Sequence, residues 1–418
     1  MTLVLLTPRG RLVQLVVVPA QVEVAGGSAG PVDWGQLFAA AGLDAAKWTS
    51  TQSMWTPPVY SDTRAAWTGT LPERPEIPLR IEAAAYRGRP VFFQIIGPMS
   101  RPEREQQNKP TVGERAAQWA GISLLLLLLT GSSVLARRNL RLGRGDRRGA
   151  FRLATVFFLA WAVAWLLGTH HVADFYEFPL FFVALCVGIA GSVFAGILYI
   201  ALEPYVRRRW PATLVSWSRL LAGGVRDPLV GRDVLFGCLL SITGICVVRG
   251  AWFVPGWLGY PPPQPYAGAT WQLLGARAIA SDLSNRIIFA ILAALASLAL
   301  LFLFRTLLRR DWAAAAAFVL FMGLFSAQQT GALAVVLVPR LILYSLTVYL
   351  LIRFGVLALA AANVFDTFLG SFPLTTQMSA WYADISLAGM VLMAAMAFYA
   401  FHTSLGGRPM FGAAELEE

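Results

Sequence analysis

Two patterns of hydrophobic and polar positions meet near residue 112 of this chain. Before that point, short β-prone runs alternate with polar residues, prolines and glycines, which is typical of strands and turns. After it, several apolar runs exceed the roughly 18 residues that a bilayer-spanning helix needs. The pattern predicts an α-helical polytopic membrane protein with about eight transmembrane helices and a small N-terminal α+β domain.

The apolar runs also give the predicted domain bounds. The predicted helices cover residues 116–136, 151–168, 178–202, 234–254, 286–304, 313–338, 341–362 and 381–402. The chain then divides into a soluble α+β domain (1–97), a linker (98–115), a transmembrane helical domain (116–404) with a basic loop at 203–233, and a tail (405–418).

Two hairpins and one helix are predicted within the soluble domain. Residues 3–19 form two β-prone runs around a Pro-Arg-Gly-Arg turn, and residues 77–96 form a second pair that turns at 87–89. A short amphipathic helix is predicted after Asp33, its candidate N-cap. An aromatic ligand pocket was the alternative for the tryptophans of this part, but a core role is favoured; they are Trp48, Trp55 and Trp67.

The distribution of charge predicts how the membrane part is oriented across the bilayer. The net charge is +11, of which residues 1–115 contribute only +2. The excess lies in short loops, so nucleic acid is not an expected partner. Loops on one side of the predicted helices carry sixteen arginines, whereas the other side has four, Arg249, Arg277, Arg286 and Arg340. The positive-inside rule places the arginine-rich side in the cytoplasm and the soluble domain outside.

This orientation requires that the soluble domain be exported. The first residues, MTLVLLTPRGRL, have no basic region before a short apolar stretch that Pro8 interrupts. We therefore expect a longer parent protein with a spanning helix upstream of Met1.

The cytoplasmic loop 203–233 is the most distinctive segment. Pro211 precedes an amphipathic pattern that ends at Gly223, and this pattern predicts a helix along anionic headgroups with its tryptophans at the interface. The loop either orients the helices or docks a partner. Residues expected to contact lipid or partner are Arg207, Arg208, Arg209, Trp210, Trp217, Arg219, Arg226, Asp227 and Arg232.

Arg353 is predicted to lie in the middle of a span, where a charge is costly unless it is paired or hydrated. Asp366 and Asp384 are its candidate partners. Such an intramembrane pair either stabilises helix packing or belongs to a gate or proton path.

The loop at 169–177 contains the only grouped imidazoles. Candidate metal ligands there are His170, His171, Asp174 and Glu177, although their spacing fits no established zinc motif, and an ordinary polar turn is the alternative. The three cysteines form no Cys-x-x-Cys pair. No cofactor is therefore expected.

Residues 199–237, YIALEPYVRRRWPATLVSWSRLLAGGVRDPLVGRDVLFG, resemble the membrane-embedded C-terminal region of bacterial membrane-anchored serine/threonine protein kinases. Residues 55–69 and 84–95 resemble the extracytoplasmic segment of the same proteins. The likeness extends from Leu3 to about Phe304 and implies a multi-pass protein of the bacterial inner membrane.

The chain has none of the kinase catalytic motifs. Arg226-Asp227-Pro228 lacks the histidine of a catalytic loop, and both lysines lie in the soluble part. The resemblance therefore implies a non-catalytic sensing or anchoring region. Its expected partners are the anionic bilayer, a kinase or other signalling protein, and a second copy of the chain. A transporter, or an intramembrane enzyme with a metal at 169–177, is the alternative.

A reporter fused at Gly143 tests the orientation. We expect cytoplasmic reporter activity, because Gly143 lies in an arginine-rich loop that the membrane potential and anionic lipids retain inside. A fusion in the loop at 169–177 is the control and should report from outside. An outside location of Gly143 would overturn the topology.

Overall fold

The computed structural model describes residues 1–7, 9–22, 30–71, 74–98, 100, 112–257, 271–327 and 333–407. It divides the chain into two compact units, Met1–Lys109 and Pro110–Glu418. Most of the predicted linker lies outside the described residues, but residues 112–115 are already helical. The predicted tail is described only up to residue 407.

The first unit contains an antiparallel sheet of six strands and one helix. The elements are β1 (Thr2–Leu6), β2 (Leu12–Val17), α1 (Gly35–Ala40), β3 (Thr49–Thr51), β4 (Thr63–Leu71), β5 (Arg74–Tyr86) and β6 (Arg89–Ile96). The spatial order is β1-β2-β6-β5-β4-β3. Both predicted hairpins are present, as β1–β2 and β5–β6. The second turns on Arg87 and Gly88, which have φ of 51° and 74°, as a tight two-residue hairpin turn requires.

The predicted helix α1 packs its aromatic residue on the sheet. Phe38 is 3% exposed, and its ring meets those of Trp48, Trp67 and Phe93 edge-on, with centroids 6.2, 5.1 and 6.3 Å away. Trp48 and Trp67 are therefore core residues, whereas Trp55 is half-buried and lies outside this cluster. Asp33 does not cap α1 directly but accepts a bond from the Gly35 N–H at 2.9 Å.

A buried carboxylate connects the sheet to the segment before β4. Glu82 is 1% exposed and accepts hydrogen bonds from Ser53 Oγ at 2.6 Å, Met54 N at 2.9 Å and Arg80 Nε at 2.6 Å. Several hydrogen-bond donors and a cationic partner offset the free-energy cost of burying this carboxylate away from water. It therefore holds residues 53 and 54 against β5.

The described part of the second unit is helical. Its helices are α2 (Val112–Arg141), α3 (Arg147–Gly168), α4 (Glu177–Arg209), α5 (Val215–Leu221), α6 (Pro228–Gly250), α7 (Val254–Trp257), α8 (Ala276–Leu308), α9 (Asp311–Ala327), α10 (Leu333–Arg353), α11 (Val356–Ser371) and α12 (Ala383–Ser404). Seven of them, α2, α3, α4, α6, α8, α10 and α12, are long and apolar enough to cross a bilayer. The unit has the architecture of a multi-pass membrane protein.

The bounds of two predicted spans are wrong. The span predicted at 341–362 is two helices, because Gly355 has φ of 98°, which glycine adopts without strain. The chain turns there, and α10 ends at Arg353. The span predicted at 313–338 likewise runs from α9 into α10 across residues that are not described. Seven long helices and two shorter apolar ones, α9 and α11, therefore replace the eight predicted spans.

Helix α6 packs closely against three neighbours through glycines. A Cβ at Gly231 would lie 2.5 Å from the backbone of α12, and one at Gly237 would lie 2.5 Å from the Ala358 carbonyl of α11. A Cβ at Gly244 would lie 2.8 Å from Leu343 of α10. Small residues allow such close approach, which supplies the packing that holds helices together in lipid.

The loop arginines gather at one end of the bundle. Arg209 of α4 pairs with Asp311 of α9 at 3.0 Å, and Gly355 between α10 and α11 lies against the Thr213 carbonyl. We call this the arginine-rich end. Arg353, the last residue of α10, adds one more arginine to it.

Replacing Gly355 with alanine should destabilise the bundle by more than about 1 kcal/mol, because a Cβ meets both a strained φ and the Thr213 carbonyl. Thermal unfolding of the purified protein in detergent measures the loss. Gly131→Ala is the control, since Gly131 lies within α2 with open space around its Cβ position. An equal loss in both variants would contradict the role given to Gly355.

Candidate functional site

Two polar regions lie at opposite ends of the helical unit. The first is residues 210–227, which we call the loop segment. It consists of a 3₁₀ turn at Pro211–Leu214, helix α5 and the turn before α6. The prediction that its tryptophans lie at the headgroups is wrong for Trp217, which is 3% exposed and belongs to the main hydrophobic core. Trp217 of α5 therefore packs within the helical unit, whereas Val215 on the same helix is exposed.

The loop segment is attached to several helices at once. Arg152 of α3 donates from Nη1 to the Leu221 carbonyl at 2.9 Å, and Tyr399 of α12 donates to the Val225 carbonyl. Its Thr213 carbonyl lies at the turn between α10 and α11. Movement of any of these helices therefore displaces an attachment point of the segment.

Most of the predicted loop arginines are paired with carboxylates. Pairs join Arg207 to Glu203 at 2.8 Å, Arg209 to Asp311 at 3.0 Å, Arg219 to Asp227 at 2.7 Å and Arg232 to Asp233 at 2.8 Å. Within the described ranges, Arg208 and Arg226 are exposed and have no ion pair. Trp210 is half-buried against the core. The surface left for a partner is therefore small and basic.

Buried polar groups lie beneath the loop segment. Glu203 and Asp233 are 3% and 2% exposed. Among the residues that the structure describes, Glu203 Oε2, Ser216 Oγ and Trp217 Nε1 have no hydrogen-bond partner. Incompletely bonded buried groups are costly in a low-dielectric interior. The contact between the loop segment and the helices is therefore weaker than a fully bonded one.

The predicted intramembrane pair does not form. Arg353 is exposed at the arginine-rich end. Asp366 lies ten residues after the start of α11, which is about 15 Å along a helix. Asp384 is exposed in the first turn of α12, where its Oδ1 accepts from the Ile385 N–H at 2.8 Å. The helix break at Gly355 separates Arg353 from both carboxylates.

The second polar region surrounds Asp366 towards the opposite end of the bundle. Asp366 is exposed on the surface of the helical unit. Arg249, Arg286 and Arg340 are near enough to interact electrostatically with its carboxylate, but none of these described arginines forms an ion pair with it. We call these four residues, with Asp282 and Gln272, the polar cluster. Three of the four arginines that the sequence assigns to the side opposite the basic loops thus lie in one region of the bundle.

Hydrogen bonds order part of the polar cluster. Asp282 accepts from Arg286 Nε at 2.8 Å and from Gln272 Nε2 at 2.7 Å. Gln272 is fully buried, and its Oε1 has no partner among the described residues. Arg340 Nε is also buried without a partner there, while Arg249 lies over the Trp252 ring at 4.6 Å. Of the three arginines, Arg286 forms an ion pair, with Asp282, so the carboxylates of the cluster do not neutralise all three.

Helix contacts place the members of the cluster at similar depths. The close approach of Gly244 and Leu343 brings Arg249 of α6 and Arg340 of α10 to neighbouring levels. Asn363 Nδ2 donates to the Ala290 carbonyl at 3.4 Å, which aligns Asp366 of α11 with Arg286 of α8. The cluster is therefore built from four packed helices.

The predicted metal ligands form a polar turn. His171 Nδ1 bonds to the Glu177 carboxylate, and its Nε2 lies 3.0 Å from the Leu166 carbonyl. Asp174 accepts from the Tyr176 N–H at 3.0 Å, and His170 is exposed. Across the described ranges, no three His, Cys, Asp or Glu side chains gather in a way that could hold a metal ion.

Comparison with known proteins gives no relative. No family model, curated protein or solved structure matches the chain.

Sequence reasoning used Arg249, Arg286 and Arg340 only as counts for orientation. The i,i+4 spacing of Asp282 and Arg286 in an apolar helix was a usable signal, since such a pair shares one helix face. Nothing in the sequence showed that Asp366 joins them, because they come from different helices.

Low pH should weaken the attachment of the loop segment to α6. Partial burial opposes ionisation of Asp227, but bonds from Arg219 and the Leu229 N–H outweigh it and lower the pKa of this N-cap below its ordinary 3.8. The stability that the ionised Asp227 carboxylate contributes is therefore present above pH 3.8 and is lost as the pH falls through the lowered pKa of the folded state.

The thermal midpoint of wild type and Asp227→Asn, measured in detergent between pH 7 and 3, checks this. Wild type should unfold at higher temperature at neutral pH, and the difference should decrease towards the acid end of this range. A difference that is independent of pH would contradict the role of the charge.

Proposed function

We propose that this chain is a membrane sensing or anchoring module, non-catalytic by itself, that passes a change on one side of the bilayer to the loop segment on the other. The observation that carries the proposal is that the polar cluster and the loop segment are built on the same helices. Helices α6, α10 and α11 supply members of the polar cluster, and their other ends pack at the loop segment.

The positive-inside rule supports a cytoplasmic loop segment and an extracytoplasmic first unit. The arginines of the helical unit lie mostly at one end, and Arg353 strengthens the bias. In this orientation in the bacterial inner membrane, the polar cluster faces outside and receives the stimulus. A ligand or envelope state that changes its charge balance alters how α10 and α11 pack on α6.

The output surface is the exposed part of the loop segment. Arg226 of this segment is exposed and has no ion pair in the described part of the chain, and Arg208 near the end of α4 is likewise exposed. An acidic surface on a kinase or other signalling protein complements this patch. The resemblance of residues 199–237 to the membrane region of kinase-linked proteins supports the same assignment.

A transporter is the second candidate, and the polar cluster favours it. Pro339 lies inside α10 next to Arg340, and proline removes a backbone hydrogen bond within a helix. α10 continues through Pro339 as one helix, but transporter substrate sites often lie beside helices that contain proline or glycine. Flux of a solute through the reconstituted protein, abolished by Asp366→Asn, would favour this candidate over the sensor.

Hydrogen exchange of residues 210–227 in nanodiscs tests the sensor proposal. Asp366→Asn removes the central carboxylate of the cluster and should change exchange rates in the loop segment by at least about fivefold, the lower end of ordinary coupling between sites. Asp384→Asn is the matched control, because Asp384 lies at the same end but outside the cluster. Unchanged exchange in Asp366→Asn, or an equal change in both variants, would overturn the proposal.

A further inference from the structure

An open groove lies between α2 and α4 at the arginine-rich end. Its volume is about 450 Å³, within the range of small-molecule sites. One part of its lining is apolar and the other is basic. The apolar part includes Ala136, Leu140 and Ile197, and the basic part consists of Arg137, Arg141 and Arg147.

The arginines of the groove are not neutralised by the protein. Arg137 and Arg141 are one helical turn apart on α2 and therefore share a face. In the structure as described, neither has a carboxylate partner, and Arg147 donates only to the Leu140 carbonyl, at 3.5 Å. The basic loop at 203–233 differs, because four of its arginines pair with carboxylates. The groove is thus a local excess of positive charge.

A buried hydrogen bond holds the walls of the groove at this depth. Asn139 is 1% exposed and donates from Nδ2 to the carbonyls of Ile200 and Ala201 on α4, at 2.9 and 3.2 Å. It lies on α2 between Arg137 and Arg141. The side chains of α2 and α4 that line the groove therefore project from helices joined at the same level, and Arg147, the first residue of α3, completes the lining.

The position of the groove along α2 and the chemistry of its lining indicate which kind of ligand fits it. Residues 133–141 are the last turns of a candidate membrane-spanning helix, where headgroups lie. Arginine forks match the geometry of phosphate oxygens, and basic pockets between transmembrane helices bind anionic headgroups. The apolar wall suits an acyl chain and not a soluble anion.

We propose that this groove is a specific site for one anionic phospholipid, with its phosphate between Arg137, Arg141 and Arg147 and an acyl chain along Leu140 and Ile197. The site does not depend on the sensing function. It depends only on the arginine-rich end lying at a membrane surface.

Native mass spectrometry of the delipidated full chain, titrated with phosphatidylglycerol, tests the site. Arg137→Ala/Arg141→Ala should weaken binding by about 30-fold, since each lost basic contact near a membrane surface contributes roughly fivefold. Arg144→Ala/Arg148→Ala is the matched control, because these exposed arginines in the same stretch change the net charge equally but do not line the groove. Its affinity should stay within about twofold of wild type.

Three further measurements complete the test. Phosphatidylcholine should bind wild type more weakly than phosphatidylglycerol does, and inorganic phosphate at equal concentration should not displace the lipid. Arg137→Lys/Arg141→Lys keeps the charge and should retain intermediate affinity. Equal weakening in the two alanine variants, no preference for the anionic lipid, or displacement by inorganic phosphate would each overturn the proposal.

Discussion

Close packing around α6 is the constraint on which the helical unit depends. Gly231, Gly237 and Gly244 let the backbone of α12, the backbone of α11 and a side chain of α10 approach within contact distance. Lipid tails are as apolar as the helix surfaces, so this dense packing, and not exclusion from water, holds the helices together. Because both the loop segment and the polar cluster are built on these helices, their geometry follows from the same contacts.

Charged side chains are paired to different extents at the two ends of the bundle. In the basic loop at 203–233, arginines pair with carboxylates, and buried Glu203 and Asp233 each have an arginine. In the polar cluster, Arg286 and Asp282 form an ion pair, Asp366 forms none with a described residue, and polar atoms of Gln272 and Arg340 are buried without a described partner. Charges that are incompletely paired in a low-dielectric region respond strongly to an added charge. The polar cluster is therefore the more sensitive end, and the loop segment is the more constrained one.

Sequence patterns predicted the structure correctly where a feature depends on residues that are adjacent in the chain. The hairpin turn at Arg87 and Gly88 follows from the backbone preferences of adjacent residues. The long apolar runs correspond to long apolar helices in the structure. The errors arose where a distant contact decides. Gly355 looks like one more small residue in an apolar run until its positive φ is seen, and Trp217 looks interfacial until helix ends are found to cover it.

The sequence by itself determined the membrane class, two hairpins of the first unit and the concentration of arginines between particular helices. These properties depend on hydrophobicity and turn chemistry along short stretches of chain. Only the tertiary structure decided that Arg353 is remote from Asp366, that Arg249, Arg286 and Arg340 lie in the same region as Asp366, and that Arg137 and Arg141 border a groove. The reason is that side chains from different helices meet according to helix packing, which no single stretch of sequence encodes.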